Sequence, residues 1–385
     1  MKAHLMNRDR DFDAQPAKPW NQDALVQDLA LMPLVHAMAR GDEFVQGVAM
    51  AALLAEGGSD RETILYRQAV ARDALSNAAV VRQLYDLSVE ALEGARRRSF
   101  GMSSHYPSST LYGALDMMQM FVGYLRRLRD FSAAQTSRFG SEGFRNLFAM
   151  LERELAEDYV ARIEGFVADL RFRRGALVSA ELGPGNVGRN LVLRKPRVDT
   201  RRWLDRLFHR ESDAYTYRLP ERDEAGAQSL SNLRNRGIHL AATALAQSAD
   251  HVESFFRTLR AELAFFVGCS NLHEQLASLG VPTGFPDPAS APRSLRFREL
   301  SDPCLALETG HRVVGSTAAA DGKDLVVITG ANRGGKSTFL RSIGVAQLMM
   351  QSGMFVAAEA FEGETCRGVV THFKREEDVS LESGK

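Results

Sequence analysis

Apolar residues recur every three or four positions through most of the first 280 residues, and then the period changes. Leu25, Leu29, Leu31, Leu34 and Val35 predict a helix over 23–39, ended by Gly41 and Asp42. Phe44 to Ala55 predicts a second, closed by Gly57 and Gly58. Ser59 and Asp60 stand where a helix cap belongs, with acidic Glu62 in the first turn, so a helix is expected over 61–77. Similar patterns run over 79–98 and 110–131, with Pro107 between them. Phe148, Leu151, Leu155, Tyr159, Ile163, Phe166 and Leu170 line one face of a single long helix over 141–174. Residues 222–279 contain no proline and carry Val252, Phe255, Phe256, Leu259, Leu263, Phe266 and Val267. They predict one long helix, or two in series with Gly237 and Gly268 as possible breaks.

Elsewhere the pattern is that of strands. Residues 176–182 and 187–195 flank Gly183-Pro184-Gly185-Asn186 and predict a hairpin. Pro282, Pro286, Pro288 and Pro292 crowd the stretch 280–293, which reads as a linker. Leu325 to Ile328 is a short β-branched apolar run, expected as a buried strand. Phe339, Ile343, Ala346, Leu348 and Met349 then give a helical stripe that Gly353 stops. The order is a mostly helical region with one β insertion, followed by a mixed α/β region.

Composition narrows the choices. The chain has 385 residues, 45% hydrophobic and 25% charged, enough for two or three domains of ordinary globular character. The net charge is zero, so any basic surface must be local. One segment qualifies: residues 171–222 hold 13 Lys/Arg against 6 Asp/Glu, interleaved with Trp203, Phe208, Tyr215 and Tyr217. That chemistry suits phosphate contacts, with Arg194, Lys195, Arg197, Arg201 and Arg202 as candidates. A solvated hairpin with aromatic anchors is the other reading, and both stay open. Arg96, Arg97 and Arg98 read first as a solvated helix end, with DNA contact as the lesser alternative. Cys269, Cys304 and Cys366 show no metal-ligand spacing and point to a reducing compartment. No apolar run approaches the roughly 20 residues of a membrane span, and the start is charged, so a cytoplasmic protein is expected.

The strongest chemical signal is Gly330-Ala331-Asn332-Arg333-Gly334-Gly335-Lys336-Ser337-Thr338, which fits G-x-x-x-x-G-K-[ST] between a predicted strand and a predicted helix. Glycines let the backbone turn its N–H groups toward phosphate oxygens, and the helix presents its positive end there. Lys336 supplies a mobile charge for the outer phosphates, and the Ser337 hydroxyl is a Mg²⁺ ligand candidate, so ATP and Mg²⁺ are the expected cofactors.

The run Thr329 to Arg341 resembles the phosphate loop of the MutS mismatch-repair ATPase family, whose pattern is T-G-P-N-x-x-G-K-S-T-x-[LM]-R. Gly353-Met354-Phe355-Val356-Ala357-Ala358-Glu359 resembles the family's G-x-[FY]-V-P-A-x. The likeness is specific over about 297–378, and weaker at Arg61 to Gln68 and from Glu262 to Leu279, which resemble the opening and returning helices of the family's core. It implies a mixed α and α/β fold: a helical core and lever region over 23–280 with a DNA-clamp insertion near 175–220, a linker over 281–295, and the N-terminal part of an ABC-type P-loop ATPase over 296–385. Residues 1–22, polar and with Pro16 and Pro19, are expected to be partly ordered. The resemblance further implies double-stranded DNA as partner, a head-to-tail homodimer, and nucleotide binding coupled to dimer closure. Ala331 and Ala357 replace family prolines, and the Phe-x-Glu mismatch-reading wedge is not found. The sequence stops at Ser383-Gly384-Lys385, about where the family's signature loop lies and before its acidic strand, so truncation and slow hydrolysis are expected. No catalytic residue is assigned, and His372 reads as a packed or partner-facing histidine. Two other readings stay open: a non-hydrolysing DNA-binding or scaffold protein with ATP as a conformational clamp, and an ABC-type ATPase for chromosome structure or ribosome quality control.

Overall fold

A computed structural model of the chain describes residues 1–55, 59–99, 106–172, 175–186, 188–195, 218–220, 222–331 and 334–372. Most of them are helical, with two small sheets, a mixed α and α/β fold as expected. Contacts divide the chain into two units, one of Met1–Val89, Leu128–Glu154 and Phe255–Lys385, the other of Glu90–Arg127 and Leu155–Ser254.

The first unit is built on α1 (Gln22–Asp28), α2 (Met32–Ala39), α3 (Glu43–Leu53) and α4 (Arg61–Ser76). The single helix expected over 23–39 is therefore two, separated at Ala30, which holds a positive φ of 48°. Asp42 caps α3 by accepting from the Phe44 and Val45 amides at 2.9 and 3.2 Å, and Asp60 caps α4 from Thr63 at 2.7 Å. The helix α9 (Glu224–Ser278) has 55 residues and crosses Gly237 and Gly268 without a break. Its stretch 261–272 is buried on every side, the mark of a core helix. Gly268 serves packing: an added Cβ would lie 3.1 Å from Met38 Cε of α2. The amide of Asn271 donates to Met38 O at 2.7 Å and fixes the same contact.

The helix expected over 141–174 is also two, α7 (Glu142–Glu154) and α8 (Glu157–Leu170). Ala156 is extended at ψ 145°, and Leu155 beside it is buried. Apolar spacing continues across the break because both halves bury a face. The acidic pair Glu157 and Asp158 suits the first turn of the new helix. Phe144, Leu147, Phe148 and Leu151 form the buried face of α7, with the Phe144 and Phe148 rings 5.9 Å apart.

Residues 1–12 are packed rather than loose. Ala3, Leu5 and Met6 are buried, and the carboxylate of Glu262 on α9, itself fully buried, accepts from the amides of Leu5 at 2.5 Å and Phe12 at 3.1 Å. Polar composition hid this, because the polar groups in question are backbone amides that a distant side chain satisfies.

A four-stranded sheet of order β3-β6-β4-β5 completes this unit, from β3 (Asp287–Ala289), β4 (Leu295–Leu300), β5 (Ser316–Ala319) and β6 (Ala360–Glu364). β4 is antiparallel to β5 and β6, and β3 is parallel to β6. The proline-rich stretch expected to act as a linker is instead tied down. Pro286 and Pro288 are buried, Gly284 exchanges two backbone bonds with Val356, and Gln68 and Arg61 of α4 donate to the carbonyls of Pro286 and Pro288 at 2.8 Å each. Prolines suit it because their missing N–H groups need no ladder partner. The strand expected at Leu325–Ile328 is not formed. Leu325, Val326 and Val327 are 78%, 53% and 73% exposed, and the sheet takes its strands from other segments. β-Branched composition makes a strand only where neighbours pair and cover it.

The second unit holds the part of α5 (Ala78–Ser99) from Glu90 on, the part of α6 (Pro107–Gln135) up to Arg127, α8, the hairpin β1 (Leu177–Leu182) and β2 (Gly188–Arg194), and the first part of α9. Pro107 is the first residue of α6, where its missing N–H costs nothing. The hairpin forms as predicted, in antiparallel register from Leu177↔Arg194 to Leu182↔Gly188. It rests on α9 through Val178, whose Cγ2 lies 2.9 Å from where a Cβ on Gly237 would stand. Among the described residues no helix is long and apolar enough to cross a membrane.

The Glu262 clamp yields a stability prediction. Burial pushes its carboxyl up to about 7, against the pull of the Leu5, Phe12 and Met6 amides. Its folded pKa lies above the ordinary 4.5, so its favourable contribution is complete below that value and is lost as pH rises through about 7. Denaturant titrations of the wild type and Glu262→Gln should therefore show the wild type losing stability relative to the variant between pH 5 and 8. Glu262→Ala, which strands buried amides, should cost about 3 kcal/mol at pH 5 and less as pH rises toward 8, because it too lacks the group that titrates.

Candidate nucleotide site

The glycine-rich segment forms a tight loop that opens directly into α11 (Lys336–Ser352). The positive φ of Gly330, 152°, and of Gly335, 82°, shows why side chains are excluded at these two positions. Gly334 donates its amide to Ala331 O at 3.0 Å, and a Cβ at Gly334 would lie 2.9 Å from that oxygen. Lys336 folds back over the loop, and its ammonium donates to Gly330 O at 2.8 Å and Ala331 O at 2.6 Å. Gly335 is the N-cap, and no side chain caps the helix. The Phe339 N–H donates to Gly335 O at 2.9 Å and closes the first helical turn. The amides of that turn therefore face the loop mouth, where a chain of phosphates would find donors.

Of the predicted site residues, Gly330, Ala331, Gly334, Gly335, Lys336, Ser337 and Thr338 lie together in this loop, with Ser337 exposed at its rim. Asn332 and Arg333 fall outside the described residues. The donor set fits an Mg²⁺-nucleotide: one ammonium, a run of backbone amides and one hydroxyl, on a turn whose glycines hold positive φ. His372 is exposed and is not part of this group.

What fixes the helix behind the loop was not read from the sequence. Phe339 packs on Phe297 of β4 with centroids 5.9 Å apart, and Phe297 stacks on Phe361 of β6. Arg341 Nε donates to the buried carboxylate of Asp302 at 2.5 Å. Gly344 admits Leu29, which would lie 2.8 Å from an added Cβ. At the far end Gly353 closes α11 in the left-handed conformation, φ 84°, and its amide bonds back to the last turn. An added Cβ there would overlap Arg67 Cβ. Arg67 is itself buried, and burial lowers its guanidinium to about 10. It donates to Met6 O at 2.6 Å, Asn7 Oδ1 at 2.8 Å and Ser59 Oγ at 3.0 Å. The spacing that could have suggested this was Gly353 at the end of the helical stripe, but nothing in the sequence pairs it with Arg67.

The second candidate surface is the hairpin. Arg194 donates to Ser179 Oγ across the two strands at 2.9 Å, and Lys195 lies 3.4 Å from Asp169, both exposed. Leu182 is 80% exposed, so the hairpin is a solvated element rather than part of a core. Arg197, Arg201 and Arg202 lie outside the described residues.

Comparison with known proteins gives two matches to family models. Residues 59–279, more than half of the chain, match the MutS2 N-terminal domain, and residues 326–383 match MutS domain V. The chain is 36% identical over 110 residues to the DNA mismatch repair protein MutS of Synechococcus sp. (strain JA-2-3B'a(2-13)), covering 27% of this chain and 12% of that protein. It is 27% identical over 154 residues to the protein of the same name from Chloroflexus aurantiacus (strain ATCC 29366 / DSM 635 / J-10-fl), 39% of this chain and 16% of that one. It is 31% identical over 71 residues to MutS protein homolog 4 of Homo sapiens, 18% of this chain and 8% of that one. These matches thus span less than a fifth of each relative's length.

Gly353→Ala should destabilise the first unit by roughly 1–3 kcal/mol, since the left-handed φ and the Arg67 stem both oppose a Cβ. Gly41→Ala, whose φ of 88° is as unfavourable but whose Cβ meets open space, should cost less. Thermal melts of the two variants separate backbone strain from the close fit against Arg67.

Proposed function

We propose, from the premise that this chain belongs to the MutS family, that it binds ATP with Mg²⁺ at residues 330–338 and couples that binding to self-association and to holding DNA. The observation that carries the nucleotide half is the loop itself. Its glycines turn the backbone into positive φ that other residues disfavour, its lysine reaches over the turn, and an uncapped helix starts at Lys336. On this reading Lys336 exchanges the carbonyls of Gly330 and Ala331 for the outer phosphates of the nucleotide. The amides at the start of α11 hold the inner phosphates, and Ser337 offers its hydroxyl to the cation. Mg²⁺, held by Ser337, would supply positive charge to the nucleotide's phosphates. Asn332 and Arg333 complete the loop in sequence.

The DNA half rests on charge. The segment 171–222 carries 13 Lys/Arg against 6 Asp/Glu in a chain of zero net charge, and it contains an exposed hairpin. Arg194 and Lys195, together with Arg197, Arg201 and Arg202, are proposed as phosphate contacts to double-stranded DNA. Relatives that carry the name DNA mismatch repair protein support a role in DNA repair or recombination control. A homodimer is the proposed working form, with nucleotide binding and DNA holding coupled as one free energy across the pair of chains.

Two measurements check these proposals. Calorimetric titration with Mg-ATP should show saturable binding to the wild type and at least about a 100-fold loss in Lys336→Ala, because a charge-assisted phosphate bond disappears; equal affinity of the two rejects the site. Duplex DNA binding should weaken steeply between 50 and 200 mM salt. Replacing Arg194, Lys195 and Arg197 with Gln should flatten that dependence, the slope falling by about 1 for each cation that no longer meets a phosphate. An unchanged slope would place the DNA-binding surface elsewhere.

A further inference from the structure

The phosphate-loop helix α11 is held at its far end by shape and at its near end by charge. Gly344 against Leu29 and Gly353 against Arg67 fix the C-terminal half. The N-terminal half, which presents its amides to the loop, has one ion pair, Arg341 Nε to Asp302 Oδ2 at 2.5 Å, beside the packing of Phe339 on Phe297. Arg341 lies five residues past Lys336, about 7.5 Å along the helix axis. Its partner stands on a rigid frame. The Asp302 side chain has no exposed area, and its second oxygen caps α10 (Pro303–Thr309) by accepting from Leu305 N–H at 3.1 Å. The residue before it, Ser301, donates its amide to Ala357 O at 2.9 Å, in the segment that follows α11. The residue after it is Pro303, with φ fixed by its ring. Asp302 is thus anchored on three sides and reaches into α11 on the fourth.

We infer that Asp302 is a positioning residue for the nucleotide site: through Arg341 it sets the angle at which α11 delivers its first-turn amides and Lys336 to the phosphates. The inference rests on the proposed nucleotide reading of residues 330–338 and adds a residue remote in sequence from that loop. Charge alone argues the opposite outcome. Removing an acidic group near the loop leaves Arg341 uncompensated and should attract an anionic nucleotide more strongly. Positioning predicts weaker binding when the same group is removed, so the two accounts separate on sign.

Asp302→Asn is the informative variant, because Asn caps a helix as well as Asp and leaves α10 intact while the ionic bond to Arg341 is broken. Titration of the full chain with Mg-ATP should show roughly five- to tenfold weaker binding in Asp302→Asn, a similar loss in Arg341→Gln, and no further loss in the double variant, as coupled partners give. Hydrogen exchange in the absence of nucleotide should quicken at amides 336–341 and stay unchanged over 345–352. Arg341→Lys keeps the charge but not the guanidinium geometry, and it should also weaken binding; it serves if Asp302→Asn fails to fold. Binding that is unchanged or tighter in Asp302→Asn, or additive losses in the double variant, overturns the inference while Lys336-dependent binding by the wild type still stands. A wild type that binds no Mg-ATP overturns the nucleotide reading and this inference together, even where the exchange pattern follows the ion pair.

Discussion

A single buried guanidinium sets the terms for the first unit. Arg67 is 6% exposed, and a buried cation must spend its donors on fixed acceptors or lose more in desolvation than it gains. Its acceptors here are Met6 O, Asn7 Oδ1 and Ser59 Oγ, so the side chain of α4 draws the start of the chain down onto the helices. Its aliphatic stem then occupies the place that a side chain at position 353 would need. The end of the phosphate-loop helix, the N-terminal segment and α4 therefore meet on one residue. Glu262 does the matching work from α9, with acceptor oxygens in place of a guanidinium and backbone amides in place of carbonyls. Tyr66, whose hydroxyl donates to His4 O at 2.6 Å, sits beside Arg67 and extends the same lacing.

What the sequence made legible follows the range of the forces involved. The Asp60 cap, the hairpin turn at Gly183–Asn186 and the start of α11 at Lys336 are local consequences of spacing and of residue type, whereas one helix or two over 222–279 stayed open until α9 was seen whole. The positive-φ turns at Gly330 and Gly335 were legible for the same reason: they follow from glycine alone. Ala30 and Ala156, where predicted single helices divide, were not, because neither residue is a helix breaker. Tertiary packing lets the apolar period run on through both breaks. The pairs Arg67 with Gly353 and Asp302 with Arg341 join residues far apart in the chain, and a single sequence gives no sign of them.

Leu325 to Ile328 shows the converse failure. Composition and context both favour a strand, yet the segment has no ladder, and three of its side chains are largely exposed. The proline-rich stretch 281–295 erred the other way: poor in strand formers, it still pairs through β3 and Gly284 because β6 and Val356 offer partners. Pairing in a sheet is a property of two segments, whereas capping and glycine turns belong to one. The candidate site inherits this division. Its donors are local and were predicted, and the frame that aims them is tertiary and was not.

That division bears on how the loop can respond to a ligand. α11 is a single helix of 17 residues, so a push on one end would be felt at the other. Its far end is clamped by two glycine contacts, at Leu29 and at Arg67, where a small shift meets closely packed atoms and costs energy steeply. Its near end is held by an ion pair and an aromatic contact, whose energies change gradually with distance. On the proposed nucleotide reading, a displacement imposed on the loop would be taken up around Arg341 and Phe339, with Leu29 and Arg67 as the pivot. Phe339 rests on Phe297 of β4, and Arg341 on Asp302 at the head of α10, so motion of the near end is passed first to the sheet and to α10. The N-terminal segment and α4, bound to the pivot, are reached only if the glycine contacts give way.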